Sequence, residues 1–150
     1  MLREIVEPNS PISESEISVF ESRFRLALPH QYRQFLLTNN GGRPVPSAFP
    51  ILGFSANPRG NIQAFFGLGA TIGTEDVALV LSQLVHDVPA GILPVACTGC
   101  DDFLCLDLRK PSAPVRFWDR RPFWGSNKWS EADLYPVTKD FASLLEALDD

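Results

Sequence analysis

The sequence is short of the features that mark a membrane, secreted or nucleic-acid-binding chain. It has no run of about 18 apolar residues, so no helical membrane span is expected. Its first residues, Met1-Leu2-Arg3-Glu4-Ile5-Val6-Glu7-Pro8, carry acids early and lack the apolar stretch of a secretory leader, so none is expected there. Cysteine is scarce. Cys97, Cys100 and Cys105 are odd in number and crowded, a poor disulfide framework, and reduced thiols in a cytoplasmic protein fit better. Positive charge is also in deficit: 13 Lys and Arg against 18 Asp and Glu give a net charge of −5. Binding to nucleic acid releases counterions through a basic surface, which this composition does not supply, so no nucleic-acid partner is expected. Mild acidity suits a basic protein partner, or serves solubility alone.

What is present suits one globular domain. The chain has 150 residues, 45% of them hydrophobic, including 11 Phe, enough for a core without disulfides or metal. No repeat and no low-complexity tract occurs. Ser13 and Glu16 have the spacing of a capping box, with Ile12 and Ile17 as a hydrophobic staple. Ile17, Phe20 and Phe24 then make one apolar stripe, predicting a helix over Glu14 to Arg25. Pro29 suits the first position of a second helix, with Tyr32, Phe35 and Leu36 on its apolar face. Asn39-Asn40-Gly41-Gly42 ends it.

Pro44, Pro46, Pro50 and Pro58 make the next stretch loops, with a short edge strand near Phe49 to Phe54. Strands are expected at Asn61–Leu68, Ile92–Ala96, Phe103–Leu108 and Val115–Trp118, with a turn at Cys97–Asp102. Between them, Thr74 is expected to cap a helix carrying Val77, Leu81, Leu84 and Val85 on one face. Asp119 to Ala132 reads as an irregular loop, and Thr138 as the cap of a last helix with Phe141, Leu144, Leu145 and Leu148 inward. The fold class is therefore α+β: one domain, an antiparallel or mixed sheet, and helices near both termini.

Five segments, in order, resemble one family. Leu28-Pro29-His30-Gln31-Tyr32 through Phe35-Leu36 to Asn40-Gly41-Gly42 is similar to the L-P-x-x-Y-x-x-F-L and N-G-G signature of the SMI1/KNR4 (SUKH) proteins. Phe65-Phe66-Gly67-Leu68 resembles their aromatic-Gly strand end. Leu93-Pro94-Val95-Ala96 with Asp102-Phe103-Leu104-Cys105-Leu106-Asp107 resembles their central hairpin, and Val115-Arg116-Phe117-Trp118-Asp119 the strand after it. Phe141 to Leu145 resembles their terminal helix. The resemblance implies a SUKH-like fold in which Pro29, Tyr32, Gly41, Gly42, Gly67, Pro94 and Trp118 are structural positions. It also implies a non-enzymatic role. Bacterial relatives are mostly immunity proteins that neutralise a nuclease or deaminase toxin of a polymorphic or contact-dependent system. Fungal ones are regulatory scaffolds. Two departures stand out: Asp101 replaces the usual Gly before the hairpin aspartate, and Arg120 the usual His after Trp-Asp.

The residues themselves offer little chemistry. Cys97-x-x-Cys100 lacks a second cysteine pair, and His30 and His86 are remote in sequence, so no metal and no cofactor are expected. The glycines of Gly67-Leu68-Gly69-Ala70-Thr71-Ile72-Gly73 are misspaced for a dinucleotide fingerprint. Asp101 and Asp102 suit an exposed turn better than a catalytic pair. The partner surface is expected to join an acidic field of Asp101, Asp102, Asp107 and Asp119 to Arg120, Arg121 and Trp124, since Arg and Trp dominate interface hot spots. A cognate, basic toxin is the expected partner. A regulatory scaffold with another protein partner is the alternative, and an enzyme using Cys100 or Asp101 and Asp102 a remote one.

Overall fold

The computed structural model describes residues 1–150. The chain opens with a short strand, β1 (Glu4–Val6), which the sequence pattern did not announce. Helix α1 (Glu14–Phe24) then starts at a complete capping box: Ser13 Oγ accepts the Glu16 N–H at 3.2 Å, and Glu16 Oε1 accepts the Ser13 N–H at 3.2 Å. Ile17 and Phe20 are buried, and Arg25, in the left-handed conformation at φ 55°, stops the helix one residue before the expected end. Helix α2 (His30–Thr38) buries Tyr32, Phe35 and Leu36; Pro29 stands just before it as its cap residue rather than inside it.

The turn after α2 is built by close approach. Asn40 is buried; its Oδ1 accepts the Leu68 N–H and its Nδ2 donates to the carbonyls of Leu68 and Ser10, each at 2.8 Å. Gly41 and Gly42 have φ of +73° and +117°, a region that L side chains resist. A Cβ on Gly41 would lie 2.8 Å from Gly67 N and Phe65 O. The Asn-Gly-Gly signature is thus the joint between a helix end and a strand end, and Gly67 is its other half: a Cβ there would meet Asn40 O at 2.6 Å.

The proline-rich stretch holds two short strands as well as loops. β2 (Arg43–Val45) pairs antiparallel with β1, and β3 (Ala48–Pro50) begins the main sheet. Strands β4 (Arg59–Phe65), β5 (Ile92–Thr98), β6 (Phe103–Asp107), β7 (Val115–Trp118) and β8 (Leu134–Thr138) follow in sequence order, every pair antiparallel. Parallel pairing is confined to an isolated bridge between Gly67 and Asp76. Both outer edges are engaged. Ala48 and Asp149 exchange two backbone hydrogen bonds at 3.0 Å, and Leu52 N donates to Pro136 O at 2.9 Å, so the sheet nearly closes on itself. β6 alternates as expected, but both of its faces are buried, because helices cover one side and the curled sheet the other.

Several local readings give way to the tertiary structure. Helix α3 (Val77–Leu84) is capped by Asp76, which accepts from Ala78 N and Leu79 N, while Thr74 lies in a 3-10 turn at Gly73–Glu75. Thr138 ends β8. The cap of α5 (Phe141–Ala147) is Asp140, which accepts the Ser143 N–H at 2.8 Å. A carboxylate displaces the hydroxyl both times, consistent with its stronger interaction at a helix start. The expected loop after Asp119 contains helix α4 (Arg121–Ser126) and a 3-10 turn at Glu131–Asp133.

One cluster of 33 buried residues joins all five helices to the sheet. At its centre Phe35 packs on Phe65 and Phe141 at 4.9 and 5.2 Å, and Tyr32 meets Phe141 edge-on at 5.2 Å. No helix is long and apolar enough to cross a membrane.

Candidate functional site

The β5–β6 turn is shaped by Thr98, whose Oγ1 accepts the N–H groups of Cys100 and Asp102 at 3.2 Å. This folds the chain so that Asp101 sits at φ +62°, exposed, in the left-handed region. Aspartate and asparagine are the side chains that tolerate that region best after glycine. The position where the resemblance leads one to expect Gly is held at a positive φ, and Asp101 fills it while adding a charge.

The remaining aspartates do not form the expected acidic field. Asp102 is buried, and its Oδ1 accepts the Arg120 N–H at 2.9 Å; burial raises its pKa above the ordinary range. Asp107 is fully buried and held by Arg109 in two contacts, at 2.8 and 3.0 Å, with Arg116 at 3.4 Å. Asp119 is buried and gripped by Arg121 at 2.9 and 3.0 Å. The arginine hydrogen bonds draw the pKa values of Asp107 and Asp119 below the ordinary range. Asp107 and Asp119 are held by arginines because a buried position tolerates charge only when it is paired, whereas Asp102 is satisfied by a backbone N–H. Of the four, only Asp101 faces solvent.

Arg120 is the pivot of the site. Its guanidinium lies 4.0 Å above the Phe103 ring, with Trp124 and Trp118 at 5.5 and 5.6 Å. Nη1 donates to the Asp101 carbonyl at 3.0 Å, and Nε is buried without a partner. Burial lowers its pKa from the usual arginine value. Trp118 is fully buried, edge-on to Phe123 at 5.4 Å and Trp129 at 5.1 Å. Those two aromatics belong to the main packing, whereas Trp124, on the same short helix as Phe123, remains 47% exposed.

Between this corner and α3 runs a groove of about 460 Å³. Its base is formed by the buried Val80, Leu84 and Phe103, and its rims carry the exposed Ile72 and Trp124. At one end Arg43 bridges Glu7 and Glu75, both at 3.1 Å; at the other stand Asp101 and Arg120. Sequence reasoning named Asp101, Arg120 and Trp124, which do come together here. It missed Arg43, Ile72 and Glu75, which only the fold brings to the same groove.

No three His, Cys, Asp or Glu side chains cluster in a metal-binding group. All three cysteines are free; burial pushes the half-buried Cys97 thiol up to about 11, and the buried Cys105 thiol is raised further for the same reason.

No curated protein matches this chain. The SMI1/KNR4 family (SUKH-1) matches it over residues 11–147, from the start of α1 through α5. That match spans every residue that lines the groove, and the chain belongs to the SMI1/KNR4 (SUKH-1) family.

Proposed function

We propose that this chain is a non-enzymatic immunity protein, and that its groove receives a toxin partner whose active site or substrate path it covers. The observation that carries the reading is Trp124. Its neighbours Phe123 and Trp129 are spent on the core, yet Trp124 stays at the rim beside a guanidinium already stacked on Phe103. Exposed Trp next to Arg, over an apolar base, is the composition of an interface hot spot. The engaged sheet edges support side-chain docking rather than strand addition. Family membership supports the immunity role, since the family includes immunity proteins. The net charge of −5 and the exposed Asp101 favour a basic partner. Three free cysteines suit a cytoplasmic setting.

The test is a binding titration against the toxin domain encoded beside this gene. Trp124→Ala is expected to weaken binding by roughly 2 kcal/mol, mainly through faster dissociation. Asp101→Lys is expected to slow association, most at low salt. Unchanged affinity in both variants would place the interface away from the groove, and no binding by the wild-type chain would remove the immunity reading.

A further inference from the structure

A second surface stands apart from the groove. Of the seven large apolar side chains that remain exposed, Val19, Leu79 and Val85 lie on α1 or on α3 and its C-terminal flank, away from the groove. The two helices do not close on each other. One hollow of about 310 Å³ lies between them, bounded by Val19, Phe20, Leu68 and Ala78, and a separate one of about 480 Å³ lies past the end of α1, where Phe24, Arg25 and Leu26 face Leu81, Val85 and Arg109. The hollow lined by Val19, Phe20, Leu68 and Ala78 is a trough that fits a helix laid along α1.

The sequence of α1 specifies which helix. Glu16, Val19 and Arg23 fall at i, i+3 and i+7, so they form one stripe along the trough: acid, apolar, base. Arg23 is unpaired and only stacks on Phe24 at 4.8 Å, and Glu16 is engaged only in the helix cap. The Glu16 contacts to Ser13 use Oε1 and leave Oε2 free. A stripe that reads acid–apolar–base is complementary to its own reverse. Two copies of α1 packed antiparallel would set Glu16 of each against Arg23 of the other, with the two Val19 side chains meeting at the axis. A parallel pairing would oppose like charges. Self-complementarity about a two-fold axis is what an isologous dimer requires.

We infer that the α1–α3 trough is the interface of a two-fold dimer of this chain, with the α1 helices antiparallel across the axis. This leaves the Trp124 groove open on each copy.

Sedimentation of the full chain across concentrations up to about a millimolar tests this. The wild-type chain is expected to reach twice the monomer mass, and V19D to remain at monomer mass at every concentration. E16R and R23E, each alone, are expected to stay monomeric, because each opposes like charges across the axis. Mixed in equal amounts they are expected to restore the dimer, since a copy with a base at both ends of the stripe then faces a copy with an acid at both ends. Circular dichroism of each variant shows that it is folded, and the mixing result holds even though E16R weakens the helix cap. A wild-type chain that stays monomeric overturns the inference and leaves the trough to an unlike helix. A dimer that V19D and both charge reversals leave intact overturns it as well, by placing the axis elsewhere.

Discussion

The Asp102 carboxylate accepts the backbone N–H of Arg120 at 2.9 Å, and Arg120 returns the contact by donating from Nη1 to the carbonyl of Asp101 at 3.0 Å. The tip of the β5–β6 hairpin and the end of β7 are thereby tied by two hydrogen bonds, both donated by Arg120. The same tie holds the guanidinium over Phe103 and fixes one end of the groove. Removing the acceptor leaves a buried N–H without a partner. Asp102→Ala is expected to cost about 2 kcal/mol in urea unfolding, with Asp102→Asn costing less because its amide oxygen still accepts. Equal stability of Asp102→Ala and the wild-type chain would show that the tie contributes nothing.

The buried acids set the pH dependence. Asp107 and Asp119 have folded pKa values below their unfolded ones, as do Glu131, paired with Arg109, and the helix cap Asp140. Their contribution is present above the ordinary carboxylate pKa of about 4 and is lost as pH falls through their lower folded values. Asp102 and Asp133, raised by burial, act with the opposite sign. The expected net result is a urea midpoint that declines on acidification below about pH 4. Asp107→Asn should flatten that decline and lower stability at neutral pH, since it leaves Arg109 and Arg116 facing an uncharged group. An acid limb that Asp107→Asn leaves unchanged would count against the Asp107 ion pairs as its source.

Gly41 has no room for a side chain. Its φ is +73°, and a Cβ would press on Gly67 N and Phe65 O at 2.8 Å, both backbone atoms that cannot rotate away. Gly41→Val is expected to destabilise by about 3 kcal/mol or more, combining left-handed strain with overpacking. Thermal unfolding reads this directly, and a melting temperature within a degree or so of wild type would contradict it.

The capping box of α1 is exposed, so its effect is smaller. Ser13→Ala removes the acceptor of the Glu16 N–H and is expected to cost about 1 kcal/mol. The same unfolding assay applies, and an unshifted midpoint would mean that water caps the helix as well as Ser13 does.

Local signals were legible wherever one short segment contains both the cause and its effect. The spacing of Ser13 and Glu16 placed the start of α1. The alternation of Phe103 to Leu108 placed β6, which ends one residue earlier, and Gly41 with Gly42 marked the end of α2. The sequence also held the evidence for the family, in five segments that the match over residues 11–147 covers. It did not announce β1, β2 or β8. These are three to five residues long, and β2 and β8 contain Pro44 and Pro136; they exist because partner strands lie beside them.

The candidate site divides in the same way. Charge and residue type were readable from the chain, so Asp101, Arg120 and Trp124 could be named. Direction was not. Which aspartates turn inward depends on strand register: Asp107 pairs across the sheet with Ile92 and meets Arg116 from β7, whereas Asp101 escapes at the hairpin tip. By itself the sequence determined composition, local caps and turns, and family. The tertiary structure decided which charges are neutralised, which aromatic is left outside, and that Arg43, Ile72 and Trp124 share one groove. Burial and ion pairing depend on distances between residues far apart in the chain, and only closing the sheet sets those distances.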